Sequence, residues 1–202
     1  MGEETSGRSD RRGRREDLLV AAAHRFVTAG IRRTTMEDIA REARAGKATL
    51  YRHFRNKDAV IDALLEREAG RFVHRLTRAA EGRTDVPGKL EAAFLAGVRF
   101  FVEHPMLTRG RDEDPGLLLP RVTANGGPAV TRGLALFRDL IATGVAEGQL
   151  RRVDPDLAAE VVMRLILSYF TFPPMHVQVD DPDEAASFAH ALVAGAFRAP
   201  SP

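Results

Sequence analysis

The chain has 202 residues, 44% of them hydrophobic, and no cysteine. That length suits one sizeable domain, or a small module joined to a larger one, while the cysteine count excludes a disulfide framework and a thiolate metal site. The net charge of +2 hides an asymmetry: residues 1–60 carry 14 Lys and Arg against 9 Asp and Glu, the remainder 16 against 19, so the basic end is either a candidate for a polyanion or a plainly solvated surface.

The opening stretch, MGEETSGRSDRRGRRED, is charged and has no apolar h-region, so it does not read as a secretory signal. No apolar run approaches the length of a bilayer span. The expectation is a soluble, cytoplasmic protein. Residues 1–13 are rich in Arg, Ser and Gly and read as a disordered basic arm. Its arginines, Arg8, Arg11 and Arg12 with Arg14 and Arg15 beside them, either reach a minor groove or stay solvated.

A helix is expected from Arg14 to Ala29, with Leu19, Ala22, Ala23 and Phe26 on one face and Gly30 as its stop. A second begins after Thr35, which with Asp38 three residues on forms a capping-box pattern. It ends near Arg44. After a tight break, RAG, a third covers Lys47 to Phe54. Asn56 then caps a fourth, from Lys57 to about Ala80. Further helices are expected near Val86–Glu103, Ala129–Glu147, Asp156–Phe172 and Asp183–Phe197, with a short piece at Leu117–Val122. HPMLTRGRDEDPG, between them, reads as irregular. No alternating strand pattern and no internal repeat are evident. The fold class is all-α: a three-helix unit over residues 14–56, then a helical bundle over 57–202, about nine helices together.

Two short helices joined by a three-residue break, with a longer helix before them, form a helix-turn-helix pattern. Leu50 and Phe54 lie one turn apart and anchor the third helix. Ala48 and Arg52 then point away from that core, flanked by Thr49 and Tyr51. The outward face is small, polar or basic, as a helix entering a major groove requires. Only three lysines occur, Lys47, Lys57 and Lys89. Lys47 and Lys57 both sit where a helix begins, against the helix dipole, at a cost of roughly 0.3–1 kcal/mol each. A phosphate bound there would reverse the sign, because free N–H groups, dipole and ammonium would all face one anion. The bland alternative is that both lysines are solvated and tolerated.

TTMEDIAREARAGKATLYRHFRNKDAV, from Thr34 to Val60, resembles the DNA-binding signature of the TetR family of bacterial repressors. The likeness includes the threonine cap, the Ile39–Ala40 pair, the Lys-x-Thr-Leu-Tyr-x-His-Phe run and the Asn-Lys-Asp start of the fourth helix. It implies that Thr35, Lys47, Thr49, Tyr51, His53 and Lys57 contact an operator. Tyr51, His53 and Lys57 would mainly hold phosphates, and Lys47, Ala48 and Thr49 would lie nearest base edges. Glu37 on the second helix is a further candidate for the groove, Arg44 for a phosphate, and the outward-facing Arg52 is a further DNA-contact candidate. Two positions depart from the family pattern. Arg44 stands where glycine is usual in the turn, and would be strained in a left-handed conformation. Gly46 stands where serine is frequent, and offers no side-chain oxygen for a cap.

For the remaining two-thirds the resemblance is one of layout. It implies a ligand-binding domain whose last two helices pair with those of a second subunit. The first is apolar on much of its circumference and the second carries Phe188, Leu192, Val193 and Phe197 with small alanines, the pattern of helices with two partners or of plain core packing within one chain. Val162, Ile166, Tyr169, Phe188, Leu192 and Ala196 are the expected dimer contacts. Phe94, Val98, Phe101, Met106, Phe137, Ile141, Met163, Leu167 and Phe170 lie on helices that enclose either a ligand cavity or ordinary core. Arg164 is a polar anchor for a ligand or a surface ion pair; His104 is such an anchor or a helix-end cap.

No HExxH pair, calcium-loop spacing or glycine-rich phosphate loop is present, so no catalytic residue, metal ligand or cofactor is expected. The expected function is a homodimeric regulator, a repressor, on a palindromic DNA operator with half-site centres roughly 35 Å apart. A small apolar or amphipathic effector would release it. The alternatives are a constitutive DNA-binding protein without a ligand and an all-helical enzyme.

Overall fold

The computed structural model describes residues 3–123, 127–172 and 174–197, with side chains from Gly13 onward. These residues form ten helices: α1 (Glu3–Ala29), α2 (Met36–Glu42), α3 (Lys47–His53), α4 (Lys57–Glu81), α5 (Val86–Glu103), α6 (Pro105–Glu113), α7 (Pro115–Thr123), α8 (Pro128–Ala146), α9 (Pro155–Thr171) and α10 (Pro182–Phe197). None is long and apolar enough to cross a membrane among the described residues.

Helix starts follow local chemistry. Asp85, Asp154 and Asn56 accept hydrogen bonds from first-turn amides of α5, α9 and α4, each satisfying a donor that has no partner within its helix. Proline opens α6, α8 and α9, where its missing N–H costs nothing and its fixed φ already suits a helix.

The bundle is built around α5, which packs on α4, α8, α9 and α10. Its centre is aromatic. The Phe72 ring lies 5.2 Å from Phe100 and 5.5 Å from Phe101, which is 5.4 Å from Phe170. These offset and edge contacts are the preferred ones for aromatic rings. Gly97 lets α5 approach closely: a Cβ there would stand 2.8 Å from the Cδ1 of Ile166 on α9.

Two expectations change. Residues 1–13 were expected to be disordered, yet α1 is helical from Glu3. Met1 and Gly2 lie outside the described residues, as do the side chains of Arg8, Arg11 and Arg12. Once Leu18, Leu19, Ala22 and Phe26 are buried, the helix is nucleated, and its N-terminal extension needs only propagation, against the poor propensity of Gly7, Gly13 and the Ser and Thr residues there. The stretch expected to be irregular contains α6. The His104 side chain accepts a hydrogen bond from Leu107 N at its start, and Met106 and Leu107 are buried.

Candidate nucleic-acid interface

The exposed surface of α2 and α3 is assembled by two caps and one strained turn. Thr35 and Asp38 complete a capping box at α2: Asp38 N donates to Thr35 Oγ1 (3.1 Å) and Thr35 N to Asp38 Oδ2 (3.0 Å). The Asp38 carboxyl is held below its usual range, first by the Thr35 hydroxyl and then by the Thr35 amide. At the other end of α2, Ala45 N reaches Ala40 O (2.9 Å) and Arg44 N reaches Arg41 O (3.1 Å). Those two bonds define a Schellman motif, whose penultimate position is left-handed. Arg44 occupies it at φ 49°, the strained conformation that the sequence raised. Gly46 then caps α3 without a side-chain bond.

α3 is held from beneath by Leu50 and Phe54, both buried. The Arg15 guanidinium covers the Phe54 ring at 5.2 Å, a cation–π contact that seals the anchor from α1. Ala48, Tyr51 and Arg52 are exposed, Tyr51 at 47%, while Thr49 and His53 are half-buried. Arg44 and Lys47 are exposed at the start of this face. Arg55, which the sequence reading passed over, is exposed at its end. Its position directly after the Phe54 anchor was the available signal.

The two lysines part company. Lys47 Nζ is 3.0 Å from Glu37 Oε1, an exposed pair across the turn. Glu37 is correspondingly held below the usual carboxylate range, first by the hydrogen bond from Lys47, then by its own backbone amide and by the lysine charge. Lys57 donates instead to Ile31 O (2.9 Å), Arg32 O (3.1 Å) and Thr34 O (3.0 Å). An ammonium has three donors, and all three are used. The expected phosphate contact of Lys57 is therefore corrected: it fastens the α1–α2 turn to the start of α4.

The body of the molecule corrects two further sets. Val162 and Ile166, expected at a dimer interface, are buried within their own subunit, with Ile166 facing α5. The exposed side of α9 is turned about one residue away and carries Leu157 and Val161, with Leu165 half-buried. Tyr169, Phe188, Leu192 and Ala196 are half-buried beside it, and the Tyr169 and Phe188 rings meet edge-on at 6.1 Å. Leu157 precedes Val161 by four residues, the spacing that sets both on this outer side.

Of the expected ligand residues, Phe94, Val98, Phe101, Met106, Phe137, Ile141 and Phe170 fill the packed centre. Phe101 borders a cavity of only 20 Å³. Met163, Arg164 and Leu167 instead line a groove of about 630 Å³ between α8 and α9, with Val130, Leu134 and Ala159. Arg164 is an exposed i,i+4 ion pair with Glu160. His104 caps α6 and places Nε2 3.1 Å from Glu68 Oε2. Glu68 is buried and also receives Arg67 and Arg71. Burial raises its pKa, but hydrogen bonds from His104 and Arg67, then the charge of Arg71, outweigh burial and bring it to about 2.

Comparison with known proteins agrees with this architecture. Residues 18–64 match the family described as bacterial regulatory proteins, tetR family. Residues 127–199 match the C-terminal domain of AefR-like transcriptional repressors. The transcriptional repressor KstR2 of Mycolicibacterium smegmatis is 29% identical over 158 residues, spanning 76% of this chain and 74% of its own. A solved TetR-family regulator from Pectobacterium atrosepticum superposes with a TM-score of 0.74 at 18% identity, covering 96% of this chain and 99% of its own. AibR, solved with isovaleryl coenzyme A and operator DNA, gives 0.58 at 17% identity over 89% and 97%. With the capped helix pair, its exposed basic face and the helical body behind it, the chain belongs to the TetR family of transcriptional regulators.

Proposed function

We propose that this regulator is a repressor. Two copies bind a palindromic operator, each laying α3 in the major groove, and a small apolar or amphipathic effector releases them. The observation that carries DNA binding is the α3 face: Ala48, Tyr51 and Arg52 are exposed over a buried Leu50–Phe54 base, with Arg44, Lys47 and Arg55 around it. Small and polar groups suit base edges and cations suit phosphates. Dimerisation is supported by the apolar stripe of Leu157, Val161 and Leu165 beside Phe188 and Leu192, which water otherwise covers at a cost.

The effector site we favour is the groove between α8 and α9. Its floor is apolar at Leu134, Ala159 and Met163, and its rim carries Arg138 and Arg164, each paired with a neighbouring carboxylate, beside Asp156 and Glu160. AibR binds isovaleryl coenzyme A and operator DNA, so acyl-CoA thioesters are the first probes. The close-packed phenylalanine centre favours a second reading, a regulator that takes no effector.

A mobility-shift titration against the DNA upstream of the gene tests the first claim. Lys47→Ala with Tyr51→Phe should weaken binding and flatten its salt dependence; unchanged affinity and slope would remove the DNA-contact assignment. An acyl-CoA at a hundred times its Kd should stabilise the protein by about 2.7 kcal/mol. Leu134→Trp, which fills the groove, should abolish that gain. A gain that persists in Leu134→Trp would place the effector elsewhere.

A further inference from the structure

α2 carries three carboxylates, and two of them have local structural work. Asp38 closes the capping box with Thr35. Glu42 pairs with His24 of α1 at 2.8 Å. Glu37 does neither. It lies in the first turn of α2, half of its side chain is exposed, and its carboxylate reaches across the turn to Lys47 at the start of α3. An exposed pair of this kind adds little to stability.

Its effect falls on binding. A carboxylate beside a phosphate-binding lysine repels every DNA backbone equally, and any phosphate that takes Lys47 must first displace Glu37. The lost affinity returns only where the released carboxylate finds a donor. In the major groove, cytosine N4 is the amine to which a single carboxylate is matched, whereas an amide at the same place suits adenine N6 and N7.

Resting on the DNA-binding reading above, we propose that Glu37 is a specificity-determining residue. It neutralises Lys47 in the free protein, and on the operator it accepts a hydrogen bond from the N4 amine of one cytosine per half-site while Lys47 passes to a phosphate. The pair thus acts as a filter: random sequence leaves Glu37 unmatched and is bound weakly, and the operator matches it.

The test is selection of the full-length protein on a duplex library with a randomised centre, followed by titrations on the selected duplex and on a random duplex. Wild type should enrich one cytosine per half-site beneath the start of α2. Glu37→Gln should move that preference to adenine and raise affinity for the random duplex roughly fivefold. Lys47→Ala should keep the cytosine and lose affinity for both duplexes alike. If Glu37→Gln enriches the same base as wild type at every position, the inference is wrong while DNA binding stands. If wild type enriches no sequence, both fall together.

Discussion

The starts of α3 and α4 look alike in sequence, since each opens with a lysine that opposes the helix dipole. In the structure they are opposites. Lys47 faces one exposed carboxylate that a phosphate can replace, whereas Lys57 is fastened to three backbone carbonyls of the α1–α2 turn. A cation at a helix start thus has two distinct justifications: an external anion, or internal carbonyls with no other donor. Only the second contributes to folding. Glu68 belongs with Lys57, because its charge is spent on Arg67, Arg71 and His104 inside the body.

The largest effects should follow removal of the internal charges. Glu68→Ala leaves its partners without their carboxylate and should cost about 3 kcal/mol, read as a fall in the thermal midpoint. The pH dependence has a definite sign. The folded pKa of about 2 lies below the 4.5 of an ordinary glutamate, so the contribution is complete above the higher value and is lost as pH falls toward the lower. Its full size is about 3 kcal/mol. Glu68→Gln should therefore unfold with a flatter acid profile than wild type. Equal acid slopes would mean that Glu68 is not the group responsible.

Lys57→Met comes next. It leaves three carbonyls without donors and should destabilise by about 2 kcal/mol, while the salt dependence of DNA binding by the remaining folded protein stays as in wild type. Lys47→Ala should do the reverse. Its stability should change by less than about 0.5 kcal/mol, and its DNA affinity should fall with a salt slope smaller by about 0.9. If Lys57→Met reduces the salt slope as Lys47→Ala does, the distinction between the lysines fails.

What was legible in the sequence follows the same division. Thr35, Asp38, Leu50, Phe54 and Asn56 act within a few residues of themselves, through caps and helical spacing, so their roles could be read directly. Lys57 could not be placed, because its acceptors lie 23 to 26 residues earlier in the chain. Its position suggests a phosphate equally well. On α9 the stripes Leu157–Val161–Leu165 and Val162–Ile166–Phe170 are both apolar. Hydropathy alone does not say which faces α5 and which faces outward; only the packing of Ile166 on Gly97 decides it. α6 was missed because glycine, proline and charge outweigh apolar spacing there, and its start depends on a histidine cap rather than on Ser, Thr, Asn or Asp.

The smallest effects should come from the turn between α2 and α3, and they ask whether Arg44 is of the Lys47 kind. Its left-handed φ of 49° costs about 1–2 kcal/mol relative to glycine, while glycine loses about 0.5–1 kcal/mol more chain entropy on folding. Arg44→Gly should therefore stabilise by about 0.5 kcal/mol. An exposed cation at this turn that meets a phosphate should also give up a salt slope of about 0.9 when removed. Higher stability with a lower slope places Arg44 beside Lys47; higher stability with the slope unchanged makes the arginine a tolerated strain. Gly46→Ser is the finer test of the same turn. Gly46 has an ordinary φ of −69°, and nothing lies within 4 Å of a Cβ built there. The serine oxygen can then cap α3, for a gain of a few tenths of a kcal/mol in denaturant midpoint. A loss of DNA affinity on that substitution, with the gain in stability intact, would show that the bare backbone at Gly46 approaches a phosphate directly, where an added side chain stands in the way.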